Sequence, residues 1–240
     1  MDFEKLIFYQ FLPQNFVTFQ NQYYIQTYNF WRDVWSQLHK SIGGPLPLVS
    51  DGFTRQDEIL ALFYDNQPIA LVCHRYGDFY NPQFLDDSYF KSWSDKGLSN
   101  VKKLGRFGVM GSQIAVAPNF RKTEGEISIK HLISALSLYH LKQAEPDFIL
   151  GMMRLDKSME QVFFDMGAIL IDDEAGQYYD KRFAYLAFVP QQKPIKIPAP
   201  YAELSKKIYA RSGGHPLEHF QNTRRYLSED YKFNTTRKAS

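Results

Sequence analysis

The 240-residue sequence predicts an α/β or α+β sandwich of helices on a sheet. Three observations carry that expectation. Short apolar runs of strand length alternate with amphipathic stretches at helical spacing between residues 59 and 189. An apolar fraction of 44% with 16% aromatics supplies enough side chain for a real core. A formal net charge of +2 lies far from the high-charge, low-hydrophobicity regime of disordered chains.

Tyr28–Ile42 reads as the first helix, with Trp31, Val34, Trp35 and Leu38 at helical spacing and Gly43-Gly44 ending it. Ile59–Tyr64 and Ile69–Tyr76 are two strands joined by a tight turn at Asp65-Asn-Gln-Pro68. Their unbroken apolar runs suit strands covered on both faces. Gly77–Gly105 reads as irregular, either plain surface loop or a substrate-covering insertion. Phe107–Val116 is a strand broken by Ala117-Pro118-Asn119. A polar loop follows, then a helix from Ile127 to Gln143 with Ile129, Leu132, Ile133, Leu136 and Tyr139 on its apolar face; Pro146 stops it. Phe148–Met153 is a short buried strand. Asp156–Met166 is a helix with Gly167 as its C-terminal cap, and Ala168–Ile171 and Phe183–Val189 are the last two strands.

Charge divides the chain. Gln191–Ser240 holds ten Lys/Arg against four Asp/Glu, which is +6, and the first 190 residues hold 18 against 22, which is −4. Pro190, Pro194, Pro198 and Pro200 favour an extended segment between them. The expected organisation is a main domain over residues 1–190, then a Pro-rich linker and a basic helical tail over 191–240.

Composition closes several other routes. The single cysteine, Cys73, excludes a disulfide framework and any multi-cysteine metal site, and it reads as a small buried residue in a strand. The apolar runs are too short to span a bilayer, and Met1–Pro13 lacks a cleavage signature, so a cytoplasmic protein is expected. Basic residues in the tail are evenly spread, which argues against nucleic acid as a partner. His215-Pro-Leu-Glu218-His219 spells the H-x-x-E-H of zinc peptidases. A five-residue pattern arises readily by chance, however, and Pro216 after Gly213-Gly214 more simply marks a helix start. His131 and His140 lie nine residues apart on one helix and form no local pair, so no metal is expected.

A strand that breaks into a glycine-containing loop and runs on into a helix presents unpaired backbone N–H groups to an anion. Arg121, Lys122, Thr123, Gly125 and Glu126 belong to that loop, and Arg121 and Lys122 add charge for a phosphate. The run Ile114-Ala-Val-Ala-Pro-Asn-Phe-Arg121, the helix after it and the ending Phe163-Phe-Asp-Met-Gly167-Ala resemble the GNAT superfamily of acyl-CoA-dependent N-acyltransferases. The resemblance covers roughly Ile59–Val189. It implies an α+β fold, with a mixed, mostly antiparallel sheet flanked by helices, and transfer of an acyl group from acetyl-CoA or a longer acyl-CoA to an amine. It further implies that Ile114, Ala115 and Val116 pair with the pantetheine arm and that the loop from Arg121 to Glu126 wraps the pyrophosphate. Arg121 matches the first position of the family's loop pattern, whereas Gly125 comes one residue late.

Ser112-Gln-Ile-Ala-Val116, with Arg121 five residues on, and Phe30–Trp35 further resemble the acyl-homoserine-lactone and N-acyl amino acid synthase branch. Met110 and Gln113 stand where that branch carries Glu and Arg. The branch implies an acyl carrier protein as an alternative donor, and a basic tail suits such an acidic partner. For the base, the sequence offers His74, whose ordinary pKa lies near neutrality, and Glu58, acting through water. His74 also reads as a strand histidine satisfied by a neighbour. Phe163 occupies the family's tyrosine position and cannot donate a proton. The expected activity is N-acyl transfer to a small-molecule amine; the alternative is a non-catalytic module of the same fold that binds a ligand or a protein.

Overall fold

The computed structural model describes residues 1–15, 18, 21–121, 127–174, 176–179 and 181–212. The expected hairpin is formed by β2 (Glu58–Tyr64) and β3 (Gln67–Asp78). Between them Asp65 and Asn66 take left-handed angles, φ +47° and +60°, which gives a two-residue turn whose twist matches the strands. Aspartate and asparagine are the side-chain-bearing residues that best tolerate that conformation.

The remaining strands are β1 (Leu6–Phe11), β4 (Phe107–Val116), β5 (Phe148–Arg154), β6 (Ile169–Leu170), β7 (Gly176–Tyr178) and β8 (Lys181–Phe188). Among the described residues they join in the order β1-β2-β3-β4-β5-β8-β6, with β7 also on β8. Only the β4–β5 contact is parallel, so the sheet is mixed and mostly antiparallel, as expected.

Both faces are covered, which explains the unbroken apolar spelling of β2 and β3. On one face α5 (Ile129–Ala144), α6 (Met159–Asp165) and α7 (Ala199–Ser212) bury Leu60, Leu62, Ala70 and Val72 of the sheet. On the other, α1 (Gln22–Ser41) and α2 (Asp51–Thr54) place Trp31 and Phe53 over Ile59, Ala61, Leu71 and Cys73. Burial pushes the Cys73 thiol well above its ordinary range, consistent with an inert core residue.

Several expectations are corrected. α1 begins at Gln22 rather than Tyr28, because Asn21 caps it by accepting from the Tyr23 N–H at 2.8 Å. Gly77–Gly105 is not irregular throughout. It holds α3 (Pro82–Leu85), a 3₁₀ turn at Ser88–Phe90 and α4 (Asp95–Lys102), the last capped by Ser94 on the Gly97 N–H. Its scattered aromatics are the buried side of these short elements: Phe79, Phe90 and Trp93 share a cluster with Phe148 and Tyr185. The helix expected over Asp156–Met166 is split by Ser158, φ +50°, into a 3₁₀ turn at Leu155–Lys157 and α6.

Beyond the prolines, α7 rests on α5 and β1 with Tyr201 and Ile208 in the same core. The segment leading to it is held by Lys196 N–H donating to the Met166 carbonyl at 2.8 Å. Arg211 pairs with Glu4. The pattern at His215–His219 lies outside the described residues. No helix among the described residues is long and apolar enough to cross a membrane.

Candidate active site

β4 and β5 run side by side for four register pairs, from Gly108 opposite Phe148 to Gly111 opposite Gly151, and then part. Beyond that point Ser112–Val116 stays with β3, and Met152–Arg154 stays with β8. The two strands therefore open a wedge whose walls belong to two separately laddered half-sheets. Exposure follows the geometry: Gly108–Met110 are buried, and Gly111–Ile114 are half-buried.

A β-bulge sits at the apex. The β3–β4 register steps from Cys73 opposite Ser112 to Leu71 opposite Ala115, so Val72 alone faces both Gln113 and Ile114. Gln113 takes φ +56°, a left-handed angle in mid-strand. Such a bulge leaves backbone groups out of the β3–β4 ladder. Trp31 of α1 donates its indole N–H to the Gln113 side-chain oxygen at 2.9 Å. Gly52 leaves room for this approach, since a Cβ there would lie 3.2 Å from the Trp31 ring and force it to shift slightly. Gln113 was noted in the sequence only as a departure from a family pattern. No local signal announces a positive φ at a glutamine or its tie to α1.

At the mouth of the wedge, the Arg121 Nε donates to the Val116 carbonyl at 2.9 Å and the guanidinium is exposed. Lys122, Thr123, Gly125 and Glu126 lie outside the described residues. α5 starts nearby at Ile129, with Lys130 and His131 and no acid in its first turn. A shallow apolar depression of ≈ 410 Å³, lined by Leu141, Pro146, Ile149, Pro190 and Ile195, sits at the other end of α5. Its lining residue Ile149 belongs to the β4–β5 seam, and the depression lies near the C-terminal end of α5, away from Arg121.

Glu58 and His74 are brought together. They are direct cross-strand partners of β2 and β3, and His74 Nδ1 lies 2.9 Å from Glu58 Oε2. Both are fully enclosed beneath α5. The same carboxylate oxygen meets His140 Nε2 at 2.8 Å and the Tyr76 hydroxyl at 2.8 Å, while Oε1 accepts from Gln10 Nε2 at 2.5 Å. The far ring nitrogens are engaged too: His74 Nε2 lies 2.8 Å from Ser137 Oγ, and His140 Nδ1 lies 3.3 Å from the Tyr209 hydroxyl.

Burial pushes the Glu58 carboxyl up, but the His140 and His74 rings outweigh it and hold the group well below the usual carboxylate range. Burial also lowers His74 against the pull of Glu58, and it pushes the Tyr76 hydroxyl well up. His140 was set aside in the sequence as half of a failed local pair. Its real partners are 82 and 66 positions away, brought near because α5 crosses over β2 and β3.

Phe163 is buried against Phe188 in the α6 layer and supplies no proton. Met110 is buried in the opposite layer, with Trp93 and Phe148.

No family model matches the chain, and no curated protein matches its sequence. Its fold does match solved structures. FeeM, an N-acyl amino acid synthase from uncultured soil microbes, aligns with TM-score 0.56 and 11% identity, over 82% of this chain and 98% of that one. The CoA-dependent acyl-homoserine lactone synthase BjaI aligns at 0.53 and 9% identity, over 85% and 89%. The CoA-dependent synthase MesI aligns at 0.53 and 9%, over 88% and 98%. At such identities the likeness is one of fold: the chain has the α+β GNAT fold.

Proposed function

We propose that the protein is an N-acyltransferase that moves an acyl group from acyl-CoA, or from an acyl carrier protein, to a small-molecule amine. The observation that carries this reading is the parting of β4 from β5 immediately beyond Gly111, beside a bulge at Gln113-Ile114. A thioester arm is a narrow, extended chain with amide groups of its own. A wedge edged by unladdered backbone suits it as an added strand would.

In this reading Ile114, Ala115 and Val116 pair with the arm, and bulge N–H groups hold the thioester oxygen as it gains charge. Arg121 meets the donor's phosphate at the mouth. The amine nitrogen attacks the thioester carbonyl carbon. The C–N bond forms, the C–S bond breaks, the amine proton passes to water and the thiolate leaves to be protonated by solvent. His74 and Glu58, sealed beneath α5, touch neither reactant. Their part is to fix β3 beside Gly111, opposite which His74 is registered.

Thermal unfolding with CoA, acetyl-CoA and a long-chain acyl-CoA tests the donor side. Ligand that binds only the folded state raises the melting temperature with concentration. Stabilisation is expected from an acyl-CoA, and Arg121→Ala is expected to weaken that donor about tenfold, the scale of losing one charge-assisted hydrogen bond. A chain indifferent to every CoA species at millimolar concentration, and unreactive with acylated carrier protein, sinks the reading.

The buried Phe163 favours one rival, a non-catalytic module of this fold. Release of free thiol on adding amines separates the two, because a binding module stays silent in that assay.

A further inference from the structure

The polar cluster beneath α5 is more elaborate than a transferase wedge requires. Three atoms, Glu58 Oε2, His74 Nδ1 and His140 Nε2, lie within 4.8 Å of one another and all are buried. They come from β2, β3 and α5, and Tyr76 brings a fourth atom, its hydroxyl oxygen, to the same point. Two imidazoles and a carboxylate form a donor set suited to zinc and its neighbours in the first transition row.

We propose that Glu58, His74 and His140 bind one divalent transition-metal ion, with zinc the best match, and that the Tyr76 oxygen is the fourth donor. The proposal is independent of the acyl-transfer reading.

What surrounds the donors supports it. A metal-ligating histidine needs its other ring nitrogen held, and that partner must accept an N–H. Opposite His74 Nε2 stands the Ser137 hydroxyl, and opposite His140 Nδ1 the Tyr209 hydroxyl. Hydroxyls both donate and accept, so the same neighbours serve the metal-free and metal-bound tautomers. In the metal-free form Ser137 and Tyr209 donate to the rings, and the rings donate to Glu58. With metal bound, the inner nitrogens turn their lone pairs to the ion and the outer N–H groups donate to the hydroxyls. Gln10 keeps its hold on Glu58 Oε1 in both forms.

Distance and charge agree. Tetrahedral zinc, with bonds of about 2.0–2.2 Å, sets its ligands about 3.3 Å apart. The present spans of 2.8 and 2.9 Å from Glu58 Oε2 must open by about 0.5 Å, and Oε2 must give up its central place so that all three atoms, now within 4.8 Å of one another, face the ion. Among the described residues, the ion-pair partners of Glu58 are these two imidazoles, and neither lysine nor arginine reaches it. The Glu58 carboxylate supplies one negative charge to a divalent ion in the enclosed site. The ion then joins β2 and β3 to α5, with α7 locked on through Tyr209.

The test is cobalt(II) loading of the full chain during refolding from urea, so that an enclosed site fills as it forms, followed by desalting. Wild type is expected to retain one equivalent, with the visible absorption of tetrahedral cobalt and a melting temperature lowered by chelation during refolding. Glu58→Gln and His140→Asn are expected to lose the metal. Either variant can fail to fold, so Ser137→Ala and Tyr209→Phe carry the second arm, with affinity expected to fall 10- to 100-fold while the circular dichroism stays native. His215→Ala/His219→Ala is expected to keep the full equivalent. Wild type that refolds with less than about a tenth of an equivalent overturns the proposal, as does metal that is lost with His215 and His219, or affinity unmoved by Ser137→Ala and Tyr209→Phe.

Discussion

Glu58→Ala is expected to lower the stability of the metal-free protein by about 3–5 kcal/mol, the scale of removing one member of a buried charged set. The carboxylate accepts from four groups, on β1, β3 and α5: Gln10, His74, Tyr76 and His140. Alanine leaves all four facing a void without an acceptor. Each stranded group costs on the order of 1–3 kcal/mol, although the costs overlap because the neighbours relax together. Urea unfolding in the presence of a chelator measures the effect as a shift in midpoint with little change in slope. A loss under about 1 kcal/mol means that water enters and replaces the missing oxygen, and the enclosure described here is then wrong.

Trp31→Ala is the second large effect, again about 3–5 kcal/mol. The ring is 1% exposed and packs against Tyr28 and Phe53 at centroid distances of 5.8 and 5.3 Å. Its indole N–H is also the tie between α1 and the bulge. Trp31→Phe separates the two roles. It keeps most of the packing and drops the hydrogen bond, so a stability cost of about 1 kcal/mol is expected. Donor-induced stabilisation should fall in Trp31→Phe, because the Gln113 side chain is no longer held. If donor stabilisation is untouched in that variant, the tie has no part in shaping the wedge.

Much of this fold is legible in the residues, and the reasons for the gaps are specific. β2, β3, β4 and β5 are spelled by apolar runs because both sheet faces are covered, and α5 keeps its three- and four-residue apolar steps although it is buried along most of its length, with Lys142 and Gln143 exposed only in its last turn. β1 was missed. Leu6-Ile-Phe-Tyr-Gln-Phe11 lies at the sheet edge with Ile7 exposed, and it borrows its identity from pairing with β2. α4 is hard to read because it is only eight residues long and carries Gly97 in its interior, a poor helix former required there because Ser94 and Asp172 crowd that position.

At the candidate site, the sequence named Glu58 and His74 separately, and the antiparallel register of one hairpin makes them neighbours. His140 needed knowledge of how a helix crosses a sheet, which no one-dimensional pattern carries. The bulge at Gln113-Ile114 was equally silent, since it consists of one residue too many opposite Val72.

Viewed as a mechanical part, the sheet is two plates riveted along one short seam, Gly108–Gly111 against Phe148–Gly151. The unpaired ends, Ser112–Val116 and Met152–Arg154, are the jaws, and each is stiffened by its own plate. Glycine fills three of the eight places in that seam, so the line along which the two plates meet carries few side chains to stiffen it.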